Sequence, residues 1–165
     1  MAGSAPTGYS GQGFSLPGEK GRFVLPPSFR KAIAPTDDTP RKLCLAKHDR
    51  WPCLTGFAES RTDLFEAQVT REQDAALKLG KEFDWEQRMA QLWSFQDVPF
   101  DSSGRFVLPE GLASVCDLGE GIAFLGGSPF FTLWPPKALF AMGTGWEGQQ
   151  AVCRSQQAEA LGKRK

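Results

Sequence analysis

Apolar and polar positions alternate with a period of two in several short runs, and Pro or Gly closes nearly every run. Residues 13–16 (Gly-Phe-Ser-Leu) predict a short strand, and residues 17–21 (Pro-Gly-Glu-Lys-Gly) a turn. Residues 22–25 predict a second strand with Arg22 and Val24 on one face and Phe23 and Leu25 on the other. Pro26 lacks a ladder donor and stops that strand. Pro27 opens a helix of one or two turns through residue 33, which Pro35 ends. Residues 43–46 and 53–57 are apolar runs separated by His48-Asp49-Arg50-Trp51-Pro52, the pattern of a hairpin.

The period then changes to that of a helix. From about Ser60, a cap with Asp63 three residues on, Phe65, Val69, Glu72, Ala76 and Leu79 fall on one stripe that Gly80 ends. Asp84 caps a second helix in which Trp85, Met89, Leu92 and Trp93 share a face. After Asp97 the strand pattern returns. Residues 98–100 are extended, 101–104 are a turn, 105–108 are a strand stopped by Pro109, and 110–115 are a short helix. Residues 121–126 and 130–134 predict another hairpin, and Pro135-Pro136 opens another helix towards Phe140. From about Gly143 the chain is polar and Gly-rich, which predicts a disordered tail.

The returning pattern is a repeat: Gly-Arg-Phe-Val-Leu-Pro stands at residues 21–26 and again at 104–109. Each copy runs strand, turn, Gly-Arg strand, Pro stop, short helix, apolar hairpin. A unit of this size buries little core alone. Two copies would bury the Phe23/Leu25 and Phe106/Leu108 faces against each other as an internal pseudo-dimer. The predicted organisation is a flexible arm (1–8), a first unit (9–58), a helical connector (59–96), a second unit (97–142) and a disordered tail (143–165). The fold class is α+β.

Composition narrows the function. Apolar residues make up 41% of the chain and charged residues 23%, as in soluble globular proteins. No apolar run is long enough to span a bilayer, and the first residues lack the basic and apolar regions of a signal peptide, so a cytoplasmic location is expected. Cys44, Cys53, Cys116 and Cys153 form no Cys-x-x-Cys pair, and His48 is the only histidine. A zinc site is therefore not expected, and reduced, partly buried thiols are. No cofactor is expected either: the Gly119-Glu120-Gly121 and Gly126-Gly127 stretches match no phosphate-binding loop and suit hairpin turns. His48 with Cys44 or Cys53 lacks an orienting third group, so no catalytic constellation emerges.

The net charge of zero is unevenly spread. Residues 1–50 hold eight Lys/Arg against four Asp/Glu, and residues 51–100 five against nine. The basic excess surrounds the first copy. Arg22 and Arg105 occupy equivalent positions directly after the turn glycines Gly21 and Gly104. Such an arginine either fixes its turn or offers a rigid fork to phosphate and base edges. Lys20, Arg30 and Lys31 of the first copy are replaced by Ser103, Ala113 and Ser114 in the second. A polyanion would therefore meet the first copy most strongly, since each neutralised phosphate adds affinity through counterion release.

The doubled unit, Gly18-Glu19-Lys20-Gly21-Arg22-Phe23-Val24-Leu25-Pro26 and Asp101-Ser102-Ser103-Gly104-Arg105-Phe106-Val107-Leu108-Pro109, resembles the MraZ family. That family carries two SpoVT-AbrB (swapped-hairpin) domains in one chain. The resemblance implies tandem swapped-hairpin units and a bacterial transcriptional regulator, typically a repressor, of the division and cell-wall gene cluster. It implies double-stranded DNA with repeated promoter sites as partner, a homo-oligomeric ring, and association with the nucleoid. It implies no membrane and no small-molecule substrate. Carried over by position, the DNA-binding residues are Lys20, Arg22, Arg30, Lys31 and Arg105. The motif positions that shape the turns are Gly21, Pro26, Asp101, Gly104 and Pro109. The first copy departs from the motif: Gly18 stands where Asp101 supplies the acid. Two readings stay open beside this one, an oligomeric scaffold using Trp85, Trp93, Trp134 and Phe131, and an antitoxin of the same domain class.

Overall fold

In a computed structural model that describes residues 8–164, the two Gly-Arg strands pair with each other. Strand β1 (Gln12–Ser15) precedes β2 (Arg22–Val24). The same order recurs in the second copy. Two hairpin strands, β3 (Lys42–Lys47) and β4 (Leu54–Phe57), come between, followed by β5 (Gln96–Pro99) and β6 (Arg105–Val107). β2 and β6 form an antiparallel ribbon in the register Arg22↔Val107, Phe23↔Phe106, Val24↔Arg105. Period-two alternation sets its faces. Phe23 and Phe106 point inward with ring centroids 6.0 Å apart, while Arg22, Val24, Arg105 and Val107 are exposed.

The hairpin β3–β4 and a second hairpin, β7 (Ile122–Gly126) with β8 (Phe131–Trp134), build a sheet with β1 and β5. Its order is β1-β7-β8-β4-β3-β5, antiparallel throughout. First strands are exchanged: β1 of the first copy pairs with β7 of the second, and β5 of the second pairs with β3 of the first. β4 and β8 join the halves, and there Gly56 lets the backbone approach the Phe131 ring. A Cβ at that position would lie 2.5 Å from two ring atoms.

One face of the sheet and the inner face of the ribbon share a core that includes Phe23, Phe29, Phe106, Phe124, Phe131 and Leu133. Each such side chain contributes about 1.5–3 kcal/mol by leaving water. Short helices follow the ribbon strands, α1 (Pro27–Ile33) after Pro26, and a second after Pro109 that comes fourth in chain order, α4 (Glu110–Ala113). They add Phe29, Ile33 and Leu112 to that core. The opposite sheet face is covered in two halves. Between β4 and β5, α2 (Phe65–Lys78) and α3 (Trp85–Trp93) cover Cys44 and Phe57. After β8, α5 (Pro136–Phe140) and α6 (Glu147–Lys163) cover Ala123, Leu125 and Trp134.

Two expectations need correction. Residues 59–64 form a 3-10 turn, so the first connector helix begins at Phe65 rather than near Ser60, and Leu79 ends up 70% exposed. More important, α6 occupies most of the stretch expected as a disordered tail. Its sequence is polar because it docks through few residues. Cys153 is fully buried, and Gln150 Nε2 donates to the carbonyls of Leu139 (3.0 Å) and Met142 (2.8 Å). Trp146, just before the helix, packs edge-on against Trp51 and Trp134. The arm expected at residues 1–8 lies outside the described residues except for Gly8.

Candidate nucleic-acid interface

The first turn leads into β2. The Gly18 N–H donates to the Arg22 carbonyl (2.7 Å), and the Gly21 N–H to the Gly18 carbonyl (3.3 Å). Lys20 (φ 60°) and Gly21 (φ 68°) are both left-handed, which turns the chain back onto the ribbon. Glycine adopts that region freely, whereas a side chain there costs about 1–2 kcal/mol. Behind the strand, the buried Ser15 hydroxyl accepts the Val24 N–H at 2.9 Å. Lys20 and Arg22 are exposed, and neither holds an ion pair or a side-chain hydrogen bond among the described residues.

The second turn closes the same way. The Asp101 N–H donates to the Arg105 carbonyl (3.0 Å), the Gly104 N–H to the Asp101 carbonyl (2.9 Å), and Gly104 has φ 84°. Here, however, an acid ties the turn together. Asp101 Oδ1 accepts the N–H of Ser103 and of Arg105, both at 2.9 Å, and Oδ2 accepts Arg105 Nε at 2.7 Å. These bonds, the Arg105 backbone N–H foremost, hold the Asp101 carboxyl below the usual carboxylate range.

Lys31 is exposed on α1, but Arg30 is partly buried and points towards the other copy. Its Nη1 donates to the Ser102 carbonyl at 3.3 Å. The fit is close: a Cβ on Gly104 would lie 3.1 Å from that Nη1 and 3.0 Å from the Leu25 carbonyl oxygen. The Leu25 N–H donates to the Gly104 carbonyl at 2.8 Å, so the end of the first unit's strand clasps the second unit's turn. Pro26 and Pro109 stand at the N-caps of α1 and α4. The outer ribbon face thus presents Arg22 and Arg105 on one diagonal and Val24 and Val107 on the other, with Lys20 at one end. A two-stranded ribbon fits the major groove, where an Arg fork matches guanine and an apolar side chain matches the thymine methyl.

The Cys and His groups are placed for packing. All four cysteines are free and buried, and burial pushes the Cys44 and Cys53 thiols up to about 12 and Cys116 to about 11. His48 Nδ1 accepts the N–H groups of Arg50 (3.1 Å) and Trp51 (3.0 Å), and its ring stacks on Trp51 at 4.6 Å. Burial lowers its pKa. A cavity of about 1050 Å³ opens beside it under α2 and α3, where Arg88 binds Asp49 (3.1 Å) and Glu72 (2.8 Å). Among the described residues no cluster of His, Cys, Asp or Glu could hold a metal ion, and no helix is long and apolar enough to cross a membrane.

Three curated relatives, each called transcriptional regulator MraZ, align with most of the chain. The protein from Chlorobium phaeobacteroides is 26% identical over 127 residues, which is 75% of this chain and 81% of the relative. The one from Rhodospirillum rubrum is 27% identical over 124 residues (74% and 76%), and the one from Roseiflexus castenholzii 29% over 122 residues (72% and 75%). Over about three quarters of its length the chain is thus similar to transcriptional regulators of the MraZ name. No family model matches it. The MraZ resemblance directs attention to the two turns, and three features of their surroundings escape it. Val24 and Val107 are exposed beside the arginines, which alternation alone would indicate for Val24. Arg30 crosses between the copies. Arg164 donates from Nη2 to the Pro17 carbonyl at 2.6 Å, a contact across 147 positions that no local pattern carries.

Proposed function

We propose that this chain is a sequence-specific DNA-binding transcriptional regulator that represses the bacterial division and cell-wall gene cluster. It would work in the cytoplasm, at the nucleoid, without catalysis. The observation that carries the reading is the outer face of the β2–β6 ribbon, where Arg22, Val24, Arg105 and Val107 are exposed on paired strands. The names of the MraZ relatives support regulation of transcription. The exchange of β1 and β5 between the copies supports tandem swapped-hairpin units arranged as an internal pseudo-dimer.

Arg22 makes the principal base or backbone contact, Lys20 and Lys31 neutralise phosphates, and Arg105 adds a second, weaker contact. Arg30 contributes by holding the second turn in place. The exposed Leu64, Leu77 and Trp93 of the connector support assembly into a homo-oligomeric ring, and a ring multiplies weak contacts along repeated sites. The scaffold reading is less well supported, since Trp134 and Phe131 lie at 0% exposure in the core.

Selection of binders from a random pool of duplex DNA tests the proposal. An enriched repeated motif, lost with Arg22→Ala, is the expected result. A pool that stays random with the wild-type chain, while the protein still assembles, favours the scaffold.

A further inference from the structure

The first turn has a cationic neighbour that the doubled motif does not contain. We propose that Lys163 and Arg164, at the C-terminal end of α6, bind DNA phosphates beside the first turn and widen the interface on that side only. This rests on the DNA-binding reading above. The position of α6 is fixed along β1. Gln12 Nε2 donates to the Gln149 carbonyl and Gln156 Nε2 to the Gln12 carbonyl, both at 3.2 Å, and Cys153 is fully buried. Running along that strand, the helix delivers its last turn to the point where β1 enters the first turn. There Arg164 Nη2 meets the Pro17 carbonyl at 2.6 Å. Gly18, the next residue, donates to the Arg22 carbonyl at 2.7 Å, so Arg164 sits one residue from the loop that carries Lys20 and Arg22.

The chemistry of the contact leaves the charge available. A guanidinium has five N–H donors, and the Pro17 carbonyl is a neutral acceptor that uses one nitrogen. Lys163 Nζ lies 3.5 Å from Glu159 Oε1, an exposed pair of the kind worth little in water, and a phosphate competes with it readily. The turn itself holds one acid, Glu19, against Lys20 and Arg22. The second turn is the opposite case, with Asp101 already bound to its arginine. Basic residues also suit a helix C-terminus through its dipole, a role that needs no DNA. The test must separate the two.

Anisotropy titrations of the full-length chain against a random-sequence duplex, repeated across a salt series, do so. Each phosphate contact contributes about 1 to the slope of log affinity against log salt. The expected result is that Lys163→Gln and Arg164→Gln each lower that slope by about 1, with thermal midpoints unchanged, and that Arg164→Lys retains it. If both glutamine variants keep the wild-type slope while Arg22→Ala loses affinity, the α6 assignment fails and the DNA reading stands. If Arg164→Gln weakens binding at an unchanged slope, Arg164 only positions the turn, and its phosphate contact is refuted. A wild-type chain with no salt-dependent binding overturns both readings.

Discussion

The two Gly-Arg turns share six letters and the same closing hydrogen bonds, yet they present their arginines differently. In the second, Asp101 holds Ser103, the Arg105 backbone and the Arg105 side chain at once. In the first, Gly18 offers no side chain, Lys20 is left-handed, and the Arg22 side chain stands free among the described residues. A tied guanidinium is preorganised but partly neutralised. A free one keeps its whole charge and gives up side-chain entropy when it binds. The contrast shows that a repeated motif fixes the strand and its inner face, while the residues just before it decide what the outer face can do.

The largest effects test the shared inner face. Phe23→Ala and Phe106→Ala should each cost about 3–5 kcal/mol, as for other buried phenylalanines, measured by denaturant unfolding. The two rings pair across the ribbon and are 5% and 2% exposed, so their costs should be alike. Costs that differ by more than about 2 kcal/mol would break the equivalence of the copies.

The outer face should respond unequally. Arg22→Ala should remove about 1–3 kcal/mol of DNA binding, the range for a good Arg contact, and Arg105→Ala clearly less. Anisotropy with the selected duplex measures both, and a reversed order would place the main contact in the second copy. Lys20→Gly has two opposed outcomes. It relieves a left-handed side chain and should stabilise the fold by up to about 1 kcal/mol, while lowering the salt slope by about 1. Ser103→Gly, with no left-handed backbone to relieve and no charge to lose, should leave the salt slope unchanged and destabilise the fold slightly through the entropy glycine adds to the unfolded chain. A Lys20→Gly protein that is less stable than wild type would contradict the strain described for the first turn.

Most of the strands were legible in the sequence because each alternates over a few residues and ends on Pro or Gly. Arg22 and Val24 on one face and Phe23 on the other follow from period two alone. The Asp84 cap was legible for the same local reason: its carboxylate accepts the Gln87 N–H at 3.0 Å. α6 was not legible. Its docking depends on Gln150, Cys153 and Gln156, and a buried glutamine that satisfies distant carbonyls leaves no apolar stripe to read. The pairing of β1 with β7 and of β5 with β3 depends equally on contacts far apart in the chain, which no local pattern carries. At the candidate site, Arg22 and Arg105 were visible as a doubled letter. That Arg30 faces Ser102 of the other copy was not, because the helical pattern gives its face and not its partner.

The smallest effect concerns the tie itself. Asp101 has a carboxyl held below its ordinary value, so the folded chain binds its proton less readily than the unfolded chain does. Its stabilising share is therefore complete above the unfolded value, about 3.9, and is lost as pH falls through the lower folded value. His48 also has a lowered pKa, but its window lies higher. Its contribution is complete above about 6.5 and declines as the pH drops below that, because burial penalises the charged imidazolium, whose Nδ1 proton would also meet the Arg50 and Trp51 N–H groups. Thermal midpoints of wild type and Asp101→Asn, compared across pH, should differ by a small constant amount near neutrality and converge only in strong acid. Convergence near pH 6 instead would mean that the second turn is held by a group other than Asp101, and the distinction between a tied and a free arginine would lose its basis.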